Sequence, residues 1–392
     1  MEEGFFPMLS VDPLAQASPA LFADWQWQQR NTLQSLDDLL QFFPGLANSP
    51  QLGHIARHLG DRKLGITPYF ASLVGTDMQR CPLPCDPLWR QVAPLWCAQA
   101  PRAFAYDGES ENWELPEEMV TPVCQHKYDN RVIIRAANIC HAYCQFCYEA
   151  LRTLERQPRK ATLKTNDWER TLDYLEAHPD IEEVILSGGE PLMLADHRLE
   201  ALLASLRERR PDILIRVHTR ALSFNPYRIT DALLALLARW QVNAVGVHVC
   251  HDQEISPAFI DASRRLGRAV PLVFANMPLL AGINDNFDQL KALCMRLYGL
   301  GILPHYLYQF MPFSPGGEQF QTPISTGIAL VAQMKRRISN LAVPEFVLPH
   351  RLGKYSVPLD LNKPPARLEV DANGEEFMSF TNWRGEACVF PQ

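Results

Sequence analysis

Arg131-Val-Ile-Ile-Arg-Ala-Ala-Asn-Ile-Cys140-His-Ala-Tyr-Cys144-Gln-Phe-Cys147-Tyr-Glu149 is the stretch on which the fold turns. It begins as a β-branched run, Arg131–Ile139, and passes directly into three cysteines spaced Cys-x3-Cys-x2-Cys. A short apolar β-branched run reads as a strand. If the cysteines were helical, separations of four and three would put Cys140, Cys144 and Cys147 on one face. Iron–sulfur clusters take four cysteine thiolates and structural zinc takes four ligands. Three thiolates can hold three irons of a four-iron cluster and leave one iron open, which points to chemistry at that iron. Zinc is the rival, and it would need a fourth ligand from elsewhere.

Outward from this stretch the pattern is regular. Further strand candidates are Glu183–Ser187, Ile213–Thr219, Val242–Val249, Val270–Ala275 and Leu303–Phe310. Helical stretches lie between them at Asp167–Ala177, Leu199–Arg209, Ile229–Trp240 and Asn286–Tyr298. Strands alternating with helices predict an α/β fold, and right-handed crossovers curl such a parallel sheet into a partial (β/α)6 TIM-type barrel. This barrel is expected over residues 116–325. In barrels the chemistry sits at the C-terminal ends of the strands. Cys140 follows the first strand candidate, and Gly188-Gly189 follows the second.

Residues 1–115 read as a helical, wrapping region. Asp24-Trp25-Gln-Trp27 opens one helical stretch, and Ser35-Leu-Asp-Asp-Leu-Leu has the serine cap and early acids of a helix start. Prolines between Pro82 and Pro101 suggest a connection. Residues 326–392 form a C-terminal segment, with short strands suggested at Glu345-Phe-Val-Leu, Phe377-Met-Ser-Phe and Ala387-Cys-Val-Phe.

Composition narrows the class. The 392 residues are 47% apolar and 21% charged, with a net charge of −7 and no block of like charge. That balance points away from nucleic acid and from an anionic membrane surface. No apolar run approaches the ~20 residues of a membrane span. The acidic start, Met1-Glu-Glu-Gly-Phe-Phe-Pro, lacks a basic n-region, so a soluble cytoplasmic protein is expected. Of the ten cysteines, Cys81 and Cys85 flank prolines in a loop, and Cys97, Cys124, Cys250, Cys294 and Cys388 read as plain buried thiols.

The motifs together resemble a known family. Cys-x3-Cys-x-Phe146-Cys147 after a first strand, and Ser187-Gly188-Gly189-Glu190-Pro191 after a second, look like the signatures of the radical S-adenosylmethionine (SAM) enzymes. The resemblance implies a [4Fe-4S] cluster on Cys140, Cys144 and Cys147, with SAM on the open iron. It implies SAM contacts from Phe146 and from Ser187, Gly188, Gly189, Glu190 and Pro191. Arg220, His248 and Asn276 are further expected contacts. Reduction of the cluster would cleave SAM to a 5′-deoxyadenosyl radical. An electron donor such as flavodoxin or ferredoxin is implied.

Ile66-Thr67-Pro68-Tyr69-Phe70, Leu279-Leu280-Ala-Gly282-Ile-Asn284-Asp285, Tyr306-Leu-Tyr308-Gln309 and Gln321-Thr322-Pro323-Ile324-Ser325 resemble segments of lysine 2,3-aminomutase and its relatives. The similarity spans roughly residues 20 to 365 and does not extend to a cysteine-rich zinc-binding tail. It implies pyridoxal 5′-phosphate (PLP) on Lys354, in Leu352-Gly353-Lys354, with Lys127, Tyr128 and Arg131 around the PLP phosphate and Tyr308 at its ring.

The departures concern the substrate. Glu149 stands where the family has an arginine for the substrate carboxylate, so Glu149 is itself a candidate substrate contact. Arg152 could be displaced into the arginine's role. Met311 and Pro349 stand near the positions of two aspartates that hold a side-chain ammonium. A buried ammonium without a counter-charge is costly, so ordinary L-lysine is not the expected substrate. The expected function is abstraction of hydrogen from a small amine or amino acid, most simply a 2,3-aminomutase-type migration. Oxidation, elimination or bond formation with the same cofactors is the alternative, as is a non-catalytic cluster-binding relative. A homo-oligomer is compatible with the sequence.

Overall fold

The computed structural model describes residues 17–95, 114–154, 162–311, 317–350, 352–359, 366–372, 374–382 and 384–391. Cys97, Pro101, the acidic start and Asp360 lie outside them. A ten-stranded sheet runs in chain order. Its strands are β1 (Met119–Thr121), β2 (Cys124–Tyr128), β3 (Arg131–Ala137), β4 (Glu183–Gly188), β5 (Leu214–Thr219), β6 (Ala244–His248), β7 (Leu272–Leu279), β8 (Leu303–Gln309), β9 (Glu345–His350) and β10 (Gly353–Ser356). Strands β3 to β9 are parallel, one more than the six-strand alternation predicts. The seventh is the Glu345 run. Antiparallel strands finish both edges: β1 and β2 on one side, β10 on the other. The edges approach each other, since the Lys354 backbone N–H donates to the Tyr128 hydroxyl at 3.2 Å. The sheet is therefore an open barrel whose gap is bridged by a side chain.

Each parallel strand alternates faces. Val132, Ile134, Val184, Leu186, Ile215, Val217, Val245, Val247, Val273, Ala275, Leu307 and Phe346 turn outward and are buried under the helices in one core. Those helices are Thr165–Ala177, Asp196–Arg209, Asp231–Arg239, Pro257–Ala269, Phe287–Gly299 and Ile324–Arg337. The alternate positions turn to the concave face: Arg131, Arg135, Glu183, Ser187, Arg216, His218, His248, Phe274, Asn276, Tyr306 and Tyr308. Parallel strands in a solid α/β core are apolar on both faces. Here one face is polar and titratable, which marks a ligand chamber. Gly246 makes room in it, because a Cβ there would meet the Phe274 ring at 2.7 Å and His218 at 2.8 Å.

The N-terminal region has its own core of Leu39, Phe42, Phe43, Leu46, Ile55, Ile66, Phe70, Trp89 and Val92, and this core also takes Ala142 from the cysteine loop. Its helices start on side-chain caps: Asp24 caps Trp25–Arg30, Ser35 and Asp38 form a capping box, and Asp86 caps Pro87–Val92. At the other end β11 (Arg367–Val370), β12 (Glu376–Thr381) and β13 (Ala387–Phe390) make a separate antiparallel sheet. Cys388 lies in it and is only partly buried. No helix among the described residues is long and apolar enough to cross a membrane.

Candidate active site

Cys140, Cys144 and Cys147 do not lie on a helix. They lie on an irregular loop between β3 and a short turn of helix at Ala150–Thr153. The N-terminal region clamps that loop from outside. Tyr143 N–H donates to the Gly65 carbonyl at 3.0 Å, Gln145 N–H to the Gln91 carbonyl at 2.8 Å, and His141 Nδ1 meets Gln29 Oε1 at 2.9 Å. Irregular backbone can carry ligands only where its polar groups are satisfied, and these bonds satisfy it.

The glycine loop holds the other side. Gly189 N–H donates to the Ala137 carbonyl at 2.6 Å and Glu190 N–H to the Ile139 carbonyl at 2.8 Å. Gly188 has φ +109°, and a Cβ there would meet the Ala137 carbonyl oxygen at 2.6 Å. A Cβ on Gly189 would meet the Ile139 carbonyl oxygen at the same 2.6 Å. Both glycines are needed so that the β4 loop can lie on the residues just before Cys140. Gly188→Ala is expected to destabilise the fold by about 2 kcal/mol or more, read as a fall in the urea midpoint of the metal-free protein. An unchanged midpoint would remove this account.

Burial comes first among the forces on the three thiols, and their neighbours add to it. Cys140 is held well above the ordinary thiol range, and Cys147 is pushed up to about 12 by burial and by Cys144. Thiols that raise one another in this way do not ionise together without added positive charge. Iron supplies that charge, and metal binding releases the protons. The donor set therefore fits a cluster. Cys144 is also raised by burial, but Arg220 opposes the rise and its Nη1 lies 2.7 Å from the sulfur.

Glu190 was expected at SAM. Its buried carboxylate instead accepts from Leu192 N–H at 3.0 Å, the Thr219 hydroxyl at 2.8 Å and Arg220 N–H at 2.7 Å. It ties the β4 loop to the end of β5. Pro191 opens the short turn Pro191–Met193 behind it. Ser187 pairs in register with Arg135 on the chamber side. Phe146 lies under Arg220, 5.4 Å from ring centroid to guanidinium carbon, and meets the Phe320 ring edge-on. His248 ends β6, whereas Asn276 sits inside β7 and not after it, because that strand runs on to Leu279.

Lys354 lies on β10 at the sheet's edge. Its Nζ sits 4.8 Å from the Tyr306 ring centroid and 5.2 Å from that of Tyr308. Desolvation, then Arg216 and Arg131, lower its pKa to about 8. Arg131 stacks on Tyr128 at 4.1 Å. Arg216 pairs with Glu183, its Nε 2.9 Å from the carboxylate. Lys127 is held by Glu118 at 2.9 Å. A lysine kept partly neutral among arginines is a place where an anion such as a phosphate gains most. The chamber also holds buried polar atoms without partners: Arg135 Nη1, His218 Nε2 and Asn276 Oδ1. Buried polar atoms are normally satisfied, so these three fit ligand contacts.

Glu149 does not present a free carboxylate. Its oxygens lie 3.3 Å from Arg135 Nε and 3.4 Å from Arg152 Nε. Glu114 completes the square at 3.2 Å from Arg135 and 2.6 Å from Arg152. Arg152 is fully buried, and its Nη1 reaches Asn138 Oδ1 at 3.3 Å, so all three of its nitrogens are engaged. Arg135 Nη2 donates to Gln125 at 2.7 Å, leaving Nη1 as the open donor.

Comparison with known proteins follows the same lines. The profile of the Radical SAM superfamily matches residues 134–293. L-lysine 2,3-aminomutase of Acetoanaerobium sticklandii is 31% identical over 83% of this chain and 75% of that protein. The enzyme of the same name from Clostridium subterminale is 30% identical over 84% and 76%. The chain belongs to the lysine 2,3-aminomutase family of radical SAM proteins. A solved radical SAM methyltransferase from Sphaerobacter thermophilus overlaps it with a TM-score of 0.40 at 16% identity, over 61% of this chain and 70% of that one.

This radical SAM enzyme, related to the lysine aminomutases, has site residues that the sequence did not single out. Arg135, Glu114, Gln91 and Glu254 are all buried and all bond to residues at the cysteine loop or at Arg220. The one available signal was Arg135, a charge in the middle of an apolar run that follows Arg131.

Proposed function

We propose that this enzyme carries a [4Fe-4S] cluster on Cys140, Cys144 and Cys147, takes SAM at the Ser187–Pro191 loop and PLP at Lys354, and moves an amino group on an amine or amino acid. The observation that carries this reading is His248. Its ring meets His218 at 5.6 Å, and His218, Phe274, His305 and Tyr306 continue ring by ring along the concave face to the ring over which the Lys354 Nζ sits at 4.8 Å, so the end of β6 beside Arg220 and the lysine share one wall. When bound, a reduced cluster on the three cysteines with SAM would supply a 5′-deoxyadenosyl radical, and PLP on Lys354 would hold the substrate amine. A small reducing protein such as flavodoxin or ferredoxin would deliver the electron.

The chain's own residues supply position and exclusion of water. Gln29, Gly65 and Gln91, within residues 1–115, hold the cysteine loop from outside, the described strands within 116–325 form most of the chamber, and β10 within 326–392 brings in Lys354. Arg131 and Tyr128 stand beside the lysine for the phosphate, with Tyr306 and Tyr308 as apolar walls, whereas Lys127 is tied to Glu118. A radical needs a site closed to solvent, and the aromatic ring sequence His218, Phe274, His305, Tyr306, Tyr308 lines that wall.

The substrate is not ordinary L-lysine. Glu114, Glu149 and Glu183 are each engaged by arginine, and Glu345 takes the Ser356 hydroxyl. With Met311 and Pro349 in place of carboxylates, a second ammonium would lack a counter-charge.

The test is anaerobic reconstitution with iron, sulfide, PLP, SAM and dithionite, followed by a panel of amines and amino acids. About four irons per chain and amine-dependent release of 5′-deoxyadenosine are expected. Iron incorporation with SAM left intact would favour a cluster-binding relative without catalysis.

A further inference from the structure

We propose that Arg220 is a positioning residue for the iron–sulfur centre: it hydrogen-bonds the Cys144 sulfur and, opposed by Glu254, sets the potential at which the centre accepts an electron. The proposal rests on the cluster reading above and goes beyond it.

Arg220 stands immediately after β5. Its backbone N–H is fixed by the Glu190 carboxylate, so the glycine loop decides where the side chain starts. The guanidinium crosses the Phe224 ring at 4.3 Å and the Phe146 ring at 5.4 Å. It ends with Nη1 2.7 Å from Cys144 Sγ. Nη2 donates to Gln91 Oε1 and lies 3.3 Å from Cys250 Sγ and 3.4 Å from Glu254 Oε2. Glu254 is fully buried and is fixed in turn by Cys250 N–H at 2.8 Å, His251 N–H at 2.9 Å and Gln91 Nε2 at 3.0 Å. The fork is thus locked from both ends.

The three thiols are not equivalent in this respect. Among the described residues, Cys147 Sγ has two neutral partners, the Thr153 hydroxyl at 3.5 Å and the Glu149 backbone N–H, and Cys140 feels Lys63 through space. Among the described residues, Cys144 alone receives a charged hydrogen-bond donor. An electron added to a cluster spreads onto its sulfurs. A cationic N–H at one sulfur stabilises the reduced form more than the oxidised form, so the potential rises. Burial magnifies the effect, because little water screens the charge. The Glu254 carboxylate works in the opposite sense. The potential is set by the difference between the two, and Glu190 fixes the geometry of the positive member.

The experiment is an EPR-monitored redox titration of the reconstituted protein without SAM, a readout that needs no turnover. Arg220→Gln is expected to lower the midpoint by at least a tenfold change in the reduced-to-oxidised ratio at fixed potential, ~59 mV for one electron. Glu254→Gln is expected to raise it, and Arg220→Lys to fall between wild type and Arg220→Gln. If Arg220→Gln assembles no cluster, the opposite displacements of Glu254→Gln and Arg220→Lys carry the test. Midpoints of all loaded variants coinciding with wild type would overturn the proposal. Wild-type protein that incorporates no iron would instead overturn the cluster reading. Cys250→Ala is expected to keep its full iron content; loss of the cluster there would make Cys250 a ligand and remove Arg220's place beside a three-thiol centre.

Discussion

Cys144→Ala protein, reconstituted beside the wild type, is expected to come out without the visible cluster absorbance and with SAM cleavage lowered at least ~10³-fold. Two thiolates cannot hold three irons, and the loop offers no substitute. Tyr143 and Gln145, on either side of Cys144, are pinned through their backbone to Gly65 and Gln91, so the loop cannot shift to recruit another donor. The metal-free variant should unfold close to the wild-type midpoint, within ~1 kcal/mol, because a half-buried sulfur is a small loss to a core built from larger side chains. The two results together separate a ligand from a packing residue. Retention of iron and chromophore in Cys144→Ala would remove the cysteine assignment altogether.

The parallel strands were legible because each carries a β-branched outward face and sits between amphipathic helices. The edges were not. β2 reads Cys-Gln-His-Lys-Tyr and β10 reads Gly-Lys-Tyr-Ser. Neither has an apolar face of its own, so their strand state comes from pairing with β3 and β9. The cysteines' three- and four-residue spacing fits a helix, but hydrogen bonds to the N-terminal region draw the loop out instead. Tertiary partners outside the local sequence made that choice.

Glu149 illustrates the same limit in electrostatics. Its identity was plain, and a carboxylate in the place of an expected arginine implied an altered substrate contact. Its partners were not plain, because Arg135 comes from β3 and Glu114 from the preceding connection. A buried carboxylate is held where its counter-charges are, and here those lie within the protein. The change at position 149 therefore does not simply reverse the charge offered to the substrate. It produces a balanced square of two arginines and two glutamates with one open N–H, on Arg135.

Lys354 should govern the pH response of PLP capture. Protein mixed with PLP and reduced with borohydride is expected to retain a pyridoxyl group on Lys354, located by peptide mass, and Lys354→Ala is expected to retain none there. PLP-dependent turnover should fall by ~10²-fold or more in that variant. The capture rate depends on the neutral amine, so with a pKa near 8 it should climb about tenfold per pH unit below that value and level off above it. The sign for stability is separate. The lysine is more easily deprotonated in the folded state than in the unfolded state, whose value is 10.5. The unfolded chain therefore binds more protons between about pH 8 and 10.5, and Lys354's contribution to stability rises with pH through that window. The rise should be slight, because the Lys354 side chain, although its Nζ packs over the Tyr306 and Tyr308 rings, still reaches solvent at the sheet's edge and water screens its charge. Arg216→Gln removes the largest of the neighbouring cations and should move the capture profile to higher pH. A profile that stays near pH 8 in Arg216→Gln would mean that desolvation alone sets the lysine, and an ordinary profile near 10.5 in the wild type would mean that the chamber does not enclose it.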